Sequence, residues 1–369
     1  MDIDELLRYA VKYGASDLHI TASNPPILRV NGRLKKVPGP ALAQSDAQAI
    51  IYSILSEEQR RGIEQKREID LSYTWGTTSA GAVNLEYVTP ERIRARVNVF
   101  LDLTGVGAAF RIIPAQIRRL EELPAPESVS DLTRAESGLV LVTGPTGCGK
   151  STTLASMIDR IDQERSARII TIEDPIEYIF QGRNSLISQR EIGTHSKSFA
   201  AALRACLRED PDVLLVGEMR DIETIQLALN AAETGHLVLS TLHTNSVAQT
   251  VDRVVDVFPA DQHEYVRQIF ANVIRGIISQ KLLVRKDGRG RIAAMELLVV
   301  TPAARNMIRD SKSHQVFSLV QTGSEHGMQT MDQCLAGLLD KGLISTDVAH
   351  AAAVDKKLFP RTHSGLAGI

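Results

Sequence analysis

The chain has 369 residues, 43% hydrophobic and 23% charged, enough apolar material to bury a core without a disulfide or metal staple and a length that predicts two or three domains. With 42 basic and 44 acidic residues the net charge is −2, which offers no electrostatic footprint for nucleic acid and no broad attraction to anionic lipid. Cys148, Cys206 and Cys334 are far apart and form no Cys-x-x-Cys pair, which argues against structural zinc and fits a reducing compartment.

The start, Met1-Asp2-Ile3-Asp4-Glu5, is acidic where a signal peptide is basic, and no apolar run approaches the roughly 18 residues that cross a bilayer. The expectation is a cytoplasmic protein, with any membrane association supplied by a partner. Ile3, Leu6, Leu7, Ala10 and Val11 recur at helical spacing. Asp17-Leu18-His19-Ile20 and Ile27-Leu28-Arg29-Val30 alternate as strands do, and Asn31-Gly32 is a hairpin turn because both residues tolerate positive φ. From Arg92 to Phe110 the pattern is again strand-like, punctuated by Gly105 and Gly107. Residues 1–112 therefore read as an α/β domain on an antiparallel sheet. Pro114, Pro124 and Pro126 among charged residues mark a linker or hinge over 113–127.

From Gly138 short apolar runs alternate with helical patterns: Leu139-Val140-Leu141-Val142, Ile169-Ile170-Thr171-Ile172, Val213-Leu214-Leu215-Val216 and Leu237-Val238-Leu239. Strands that are apolar throughout are covered on both faces, the signature of a parallel sheet with crossover helices; this core is set at 128–262. Beyond Pro259 the chain reads as mostly helical over 263–357, with Val266, Ile269, Phe270, Val273, Ile274, Ile277 and Ile278 as an apolar stripe, and ends in a Gly-, Ser- and His-rich tail over 358–369.

Gly144-Pro145-Thr146-Gly147-Cys148-Gly149-Lys150-Ser151 matches Gly-x-x-x-x-Gly-Lys-Ser in full, between an apolar strand and a helical run beginning at Thr152. The glycines let main-chain N–H groups turn inward around phosphates. Lys150 would reach the β- and γ-phosphates of a nucleotide and the Ser151 hydroxyl would ligate Mg²⁺. Cys148 is incidental to this scheme, though it could make the loop sensitive to oxidation. Asp212-Val213-Leu214-Leu215-Val216-Gly217-Glu218 ends an apolar strand in an acid, where ligands sit in such sheets, so Glu218 is placed to orient or deprotonate water. Glu173, Asp174 and Glu177 follow another buried strand and could help hold a metal, although Asp174 before Pro175 is equally a helix cap. His236 and His243 flank the strand after that. Either could sense a γ-phosphate, bridge to a neighbouring subunit or be structural.

Together these motifs resemble the secretion-ATPase superfamily, and within it the PilT family of twitching-motility retraction ATPases. The similarity spans nearly the whole chain. Gly14-Ala15-Ser16-Asp17-Leu18-His19 and Val30-Asn31-Gly32 resemble that family's PAS-like N-terminal domain. Thr171 to Glu177 resembles its Asp box, Leu207 to Asp221 its Walker B region, and Ala232 to Thr244 its His box. The resemblance implies a RecA-like phosphate-loop ATPase domain with a helical C-terminal extension, using ATP and Mg²⁺. It implies Glu218 as catalytic glutamate, Glu177 as a second acid near the metal with Glu173 beside it, His236 and His243 completing the site, and Arg94, Arg96 and Arg111 as arginine fingers. It further implies a homohexamer at the inner face of the inner membrane that acts on a pilus platform protein, and through it on pilin, to drive retraction. Two positions depart from the family pattern. Leu103-Thr104-Gly105 replaces Asn-Arg-Gly, and Ala303-Ala304-Arg305-Asn306-Met307-Ile308-Arg309 keeps both arginines of Ala-Ile-Arg-x-Leu-Ile-Arg while Ala304 and Met307 are smaller or softer than the apolar residues they replace; the chain also carries extra residues around Trp75 to Val88, expected to be a longer surface loop. Pilus extension or protein export is the alternative, and a nucleic-acid translocase on the same core would want a basic channel or stacking aromatics, which 4% aromatic content does not favour.

Overall fold

The computed structural model describes residues 2–30, 32–74, 94–113 and 116–360. The chain divides into two compact units, one made of Met1–Ile117 with Pro175–Gln181, the other of Arg118–Asp174 with Gly182–Ile369.

In the first unit, Asp2 and Glu5 form a capping box that starts α1 (Ile3–Lys12). Its buried stripe is Ile3, Leu6, Leu7 and Ala10, while Val11, expected in that stripe, is exposed. The remaining elements are β1 (Ala15–Ile20), β2 (Ile27–Val30), β3 (Arg33–Lys36), α2 (Gln44–Tyr52), α3 (Glu57–Lys66), β4 (Glu68–Thr74), β5 (Arg94–Asp102) and β6 (Gly105–Ile113). They form an antiparallel sheet of order β3-β2-β1-β6-β5-β4. Val30 pairs with Arg33, and Gly32 takes φ 80°. Asn31, the Trp75–Val88 loop and Pro114 lie outside the described residues. Leu18, Ile20, Leu28, Val97, Val99 and Phe110 share one core with Leu6, Leu7, Ile51 and Ile63 of the helices. One sheet face is therefore covered and the alternate residues face the other way.

The second unit carries α4 (Glu127–Thr133), β7 (Gly138–Thr143), α5 (Lys150–Glu164), β8 (Arg168–Glu173), β9 (Leu186–Glu191), α6 (Phe199–Cys206), β10 (Val213–Val216), α7 (Ile222–Glu233), β11 (Leu237–Leu242) and α8 (Val247–Asp256). After these come α9 (His263–Val273), β12 (Ile274–Val284), β13 (Arg291–Val299), α10 (Pro302–Arg309), α11 (Ser313–Thr322), α12 (Met331–Asp340) and α13 (Thr346–Ala352). Its seven-stranded sheet has the order β13-β12-β7-β11-β10-β8-β9. All neighbours are parallel except β12 and β13, and every residue of β7, β10 and β11 is buried.

The expectation of a mostly helical stretch after residue 262 is corrected here. The stripe is helical only as far as Val273; Ile274, Ile277 and Ile278 belong to β12, which pairs in parallel with β7. A continuous apolar run fits a buried helix or a buried strand equally well by periodicity, and the β-branched isoleucines around Gly276 tip it to strand. The sheet that carries the phosphate loop thus extends past the boundary drawn at 262, and β12 becomes the loop's immediate neighbour.

Candidate nucleotide site

The loop Gly144–Gly149 leaves the carboxyl end of β7 and enters α5 at Lys150. Gly144, Gly147 and Gly149 have φ of 140°, 77° and 95°, a region where side chains are strained. A Cβ on Gly144 would sit 2.3 Å from the Gln280 carbonyl oxygen on β12, so the first glycine is required by close backbone approach as well as by φ. Gly149 caps α5 with no side-chain hydrogen bond, whereas Ser198, Asp221 and Ser246 cap α6, α7 and α8. The start of α5 therefore carries no side-chain cap, and a helix N-terminus favours an anion.

The parallel register brings the acidic and histidine segments to the same edge. Leu242 pairs with Thr143, which sets His243 beside the start of the loop. Glu218 follows β10 through Gly217, whose N–H donates to the Ile172 carbonyl at 2.8 Å and whose carbonyl accepts from the Thr241 hydroxyl at 2.6 Å. The Met219 N–H donates to the Thr241 carbonyl, so the Glu218 backbone is pinned between β8 and β11. A line of polar contacts results. Lys150 Nζ donates to the Gly144 and Pro145 carbonyls at 2.8 and 3.2 Å and lies 3.5 Å from His243 Nδ1. His243 Nε2 lies 3.1 Å from Glu218 Oε1, and Arg220 Nε lies 2.7 Å from the same oxygen. An ammonium only donates and a carboxylate only accepts, so the ring that links them is the tautomer with a bare Nδ1 and an Nε2–H. Burial pushes the Glu218 carboxyl up, but the Arg220 hydrogen bond and charge, with His243, outweigh it and hold the group below the usual carboxylate range.

Other predicted residues are distributed differently. Glu173 ends β8, and its Oε1 accepts from the Thr171 hydroxyl at 2.7 Å and the Gln189 amide at 3.4 Å. Ser151 and Thr152 stand in the first turn of α5 behind Lys150. Glu177 falls in the Pro175–Gln181 segment, which groups with the first unit. His236 is not brought to this edge: it precedes β11, its N–H and Nδ1 are held at the Ala231 carbonyl, and its own carbonyl accepts from Gly138, the first residue of β7. Six residues of strand separate it from the carboxyl edge, about 20 Å at 3.3 Å per residue. In the first unit Arg96 pairs directly with Arg111 across β5 and β6. Arg96 meets Asp70 at 3.5 Å, Arg111 meets Asp17 at 3.2 Å, and Arg94 is buried at the start of β5. Cys148 is buried, and burial raises its thiol above the ordinary value, which disfavours the thiolate through which oxidation proceeds.

Sequence reasoning missed two participants. Gln280 is buried in β12 and reaches the loop, and its signal was an amide in the polar Ser279-Gln280-Lys281 break between two apolar stretches. Arg220 holds Glu218, and its signal was a guanidinium two residues from the strand-end acid.

A glycine cradle with its lysine at a helix start that has no side-chain cap, and an ionised carboxylate across from it at the end of a parallel strand, define a phosphate-loop nucleotide hydrolase. The comparisons make the class specific. Residues 1–345 match the Type II/IV secretion system protein family. The type IV pilus retraction ATPase PilT of Pseudomonas aeruginosa is 48% identical over 353 residues, 96% of this chain and 98% of that protein. A twitching motility protein of Neisseria gonorrhoeae is 47% identical over 89% of this chain and 84% of its own length. A crystal structure of the pilus retraction motor PilT with bound ADP superposes with a TM-score of 0.85 at 47% identity, covering 97% of this chain and 98% of that one. The chain belongs to the Type II/IV secretion ATPase family.

Proposed function

We propose that this chain is a subunit of a hexameric motor that hydrolyses ATP with Mg²⁺ to drive retraction of a type IV pilus, working at the inner face of the inner membrane through a platform protein. The observation that carries the hydrolase reading is the line Lys150–His243–Glu218, three groups from three separate segments meeting at one sheet edge. Support for pilus retraction comes from the two relatives named for retraction and twitching motility, similar over almost the full chain. Among the described residues no helix is long and apolar enough to cross a membrane, in keeping with attachment through a partner.

In this reading the N–H groups of the loop and of α5 take the β- and γ-phosphates, and Lys150 exchanges its two loop carbonyls for phosphate oxygens. Glu218, ionised and fixed by Arg220 and the His243 Nε2–H, accepts a proton from the attacking water. The Ser151 hydroxyl and the Glu173 carboxylate are hard oxygen donors of the kind Mg²⁺ prefers; bound there, it would offset charge on the phosphates. Glu177 as second acid and metal ligand, and Arg94, Arg96 and Arg111 as fingers, are assigned by family resemblance, as is a role for His236 beyond its own subunit's site.

The test has a biochemical and a cellular arm. The purified chain should release phosphate from ATP, and Lys150→Ala should reduce the rate by at least about a hundredfold. A strain lacking the protein should carry pili that extend but do not shorten. Loss of pili altogether would move the assignment to extension, and an active Lys150→Ala enzyme would remove the loop from the reaction.

A further inference from the structure

We propose that Gln280 is a positioning residue for the phosphate loop: it holds the loop in its phosphate-receiving shape from the neighbouring strand. This rests on the nucleotide-hydrolase reading above and adds a group outside the motifs that carry it.

Gln280 lies in β12 and is 1% exposed. Its Nε2 donates to the Cys148 carbonyl at 2.8 Å, and its Oε1 accepts from the Thr153 hydroxyl at 2.9 Å. The orientation of the amide is unambiguous, because a carbonyl can only accept and so must face the NH₂ end. Both ends of the loop close against this one residue. The Gln280 backbone oxygen would lie 2.3 Å from a Cβ on Gly144, and its side-chain nitrogen 3.3 Å from a Cβ on Gly149. A trans peptide points its C=O and N–H in opposite directions. Fixing the Cys148 carbonyl on β12 therefore turns the Gly149 N–H away from β12, and the Thr153 contact ties the first turn of α5 to the same amide. Burying an amide costs free energy unless each end is paired. Here the two pairings are spent on the last loop peptide and the first helical turn, the places where phosphate would be gripped.

The test compares wild type with Gln280→Leu and Gln280→Glu as full-length protein, measuring the affinity for a fluorescent ADP analogue, KM and kcat for ATP, and thermal melting. Gln280→Leu keeps bulk but offers no hydrogen bond. It should weaken ADP binding and raise KM by about tenfold or more, with kcat at saturating ATP within about threefold. Gln280→Glu places a carboxylate against the Cys148 carbonyl, so ADP binding should be poor at pH 8 and recover near about pH 6, where a buried carboxyl takes up a proton and can donate. Wild type should show no such recovery. Wild-type ADP affinity in Gln280→Leu, with or without a lowered melting temperature, would reduce Gln280 to a packing residue and overturn the proposal. Should Gln280→Leu fail to fold, pH-independent ADP binding by Gln280→Glu would overturn it equally. Failure of the wild type itself to bind ADP would instead bring down the hydrolase reading on which the proposal stands.

Discussion

The two sheets of this molecule handle polar residues in opposite ways. The antiparallel sheet of the first unit has one face on its helices and turns its charges to the other, where Asp17, Arg29, Asp70, Arg96 and Arg111 form ion pairs with side chains between 15% and 68% exposed. The mostly parallel sheet of the second unit is covered on both faces, yet Thr143, Thr171, Ser240, Thr241, Ser279 and Gln280 are buried within it. Polar groups in such a place persist only when hydrogen-bonded. Thr241, Ser240 and Thr171 satisfy this by bonding to Gly217, Val216 and Glu173, the residues that deliver the acids. Polarity in the first unit decorates a surface; in the second it shapes the edge where chemistry takes place.

That contrast predicts where substitution hurts most. Glu218 is held at 17% exposure by three backbone pins and two side-chain partners. Glu218→Gln keeps the shape and removes the proton acceptor. Hydrolysis should fall by about a hundredfold or more while ADP binding stays near wild type, measured by phosphate release and by nucleotide titration. A variant as fast as wild type would mean that the buried polar edge serves the fold and not the reaction.

Much of this was legible beforehand. The glycine spacing, the four apolar strands and the strand-end acid carry their physics locally, because each depends on residues within one segment. Four things did not. Ile274, Ile277 and Ile278 continue a helical pattern that tertiary pairing with β7 overrides, and β9 escaped notice because its half-exposed edge position leaves no apolar run. His236 and His243 look equivalent in sequence, one on each side of a strand, but a strand has two ends. Only the parallel register shows that His243 meets the loop while His236 sits at the far edge. Gln280 is 132 and 127 residues from its partners Cys148 and Thr153 only in the sense of the chain; in the sheet it is next door, and no local pattern could announce that.

The first unit offers the sharper test of what an exposed ion pair is for. Arg96 and Asp70, 42% and 55% exposed at 3.5 Å, should contribute no more than about 1 kcal/mol to stability. Arg96→Ala should therefore move the melting temperature by only about 2 °C in a chain of this size. If Arg96 is one of the fingers, hydrolysis should nevertheless fall by about tenfold. Unchanged hydrolysis with an unchanged melt would leave Arg96 as surface decoration and confine the chemistry to the second unit. A large drop in melting temperature would show that the open face is structural after all.

The smallest effect belongs to Arg220, which is 71% exposed yet reaches the carboxylate that matters. The Glu218 carboxyl sits below its ordinary value because the Arg220 bond and charge and His243 outweigh burial. A carboxylate with a depressed folded pKa contributes stability above its unfolded value and loses it as pH falls through the folded value. Its basic form is likewise populated down to unusually low pH. Arg220→Ala leaves burial in place and removes the main opposing influence, so the Glu218 carboxyl should rise. The acid limb of the kcat/KM profile should move to higher pH, and acid unfolding should begin at higher pH, while the rate at neutral pH falls by less than about tenfold because Glu218 remains ionised there. A pH profile superimposable on wild type would show that Arg220 does not govern the carboxylate, whatever their 2.7 Å separation suggests.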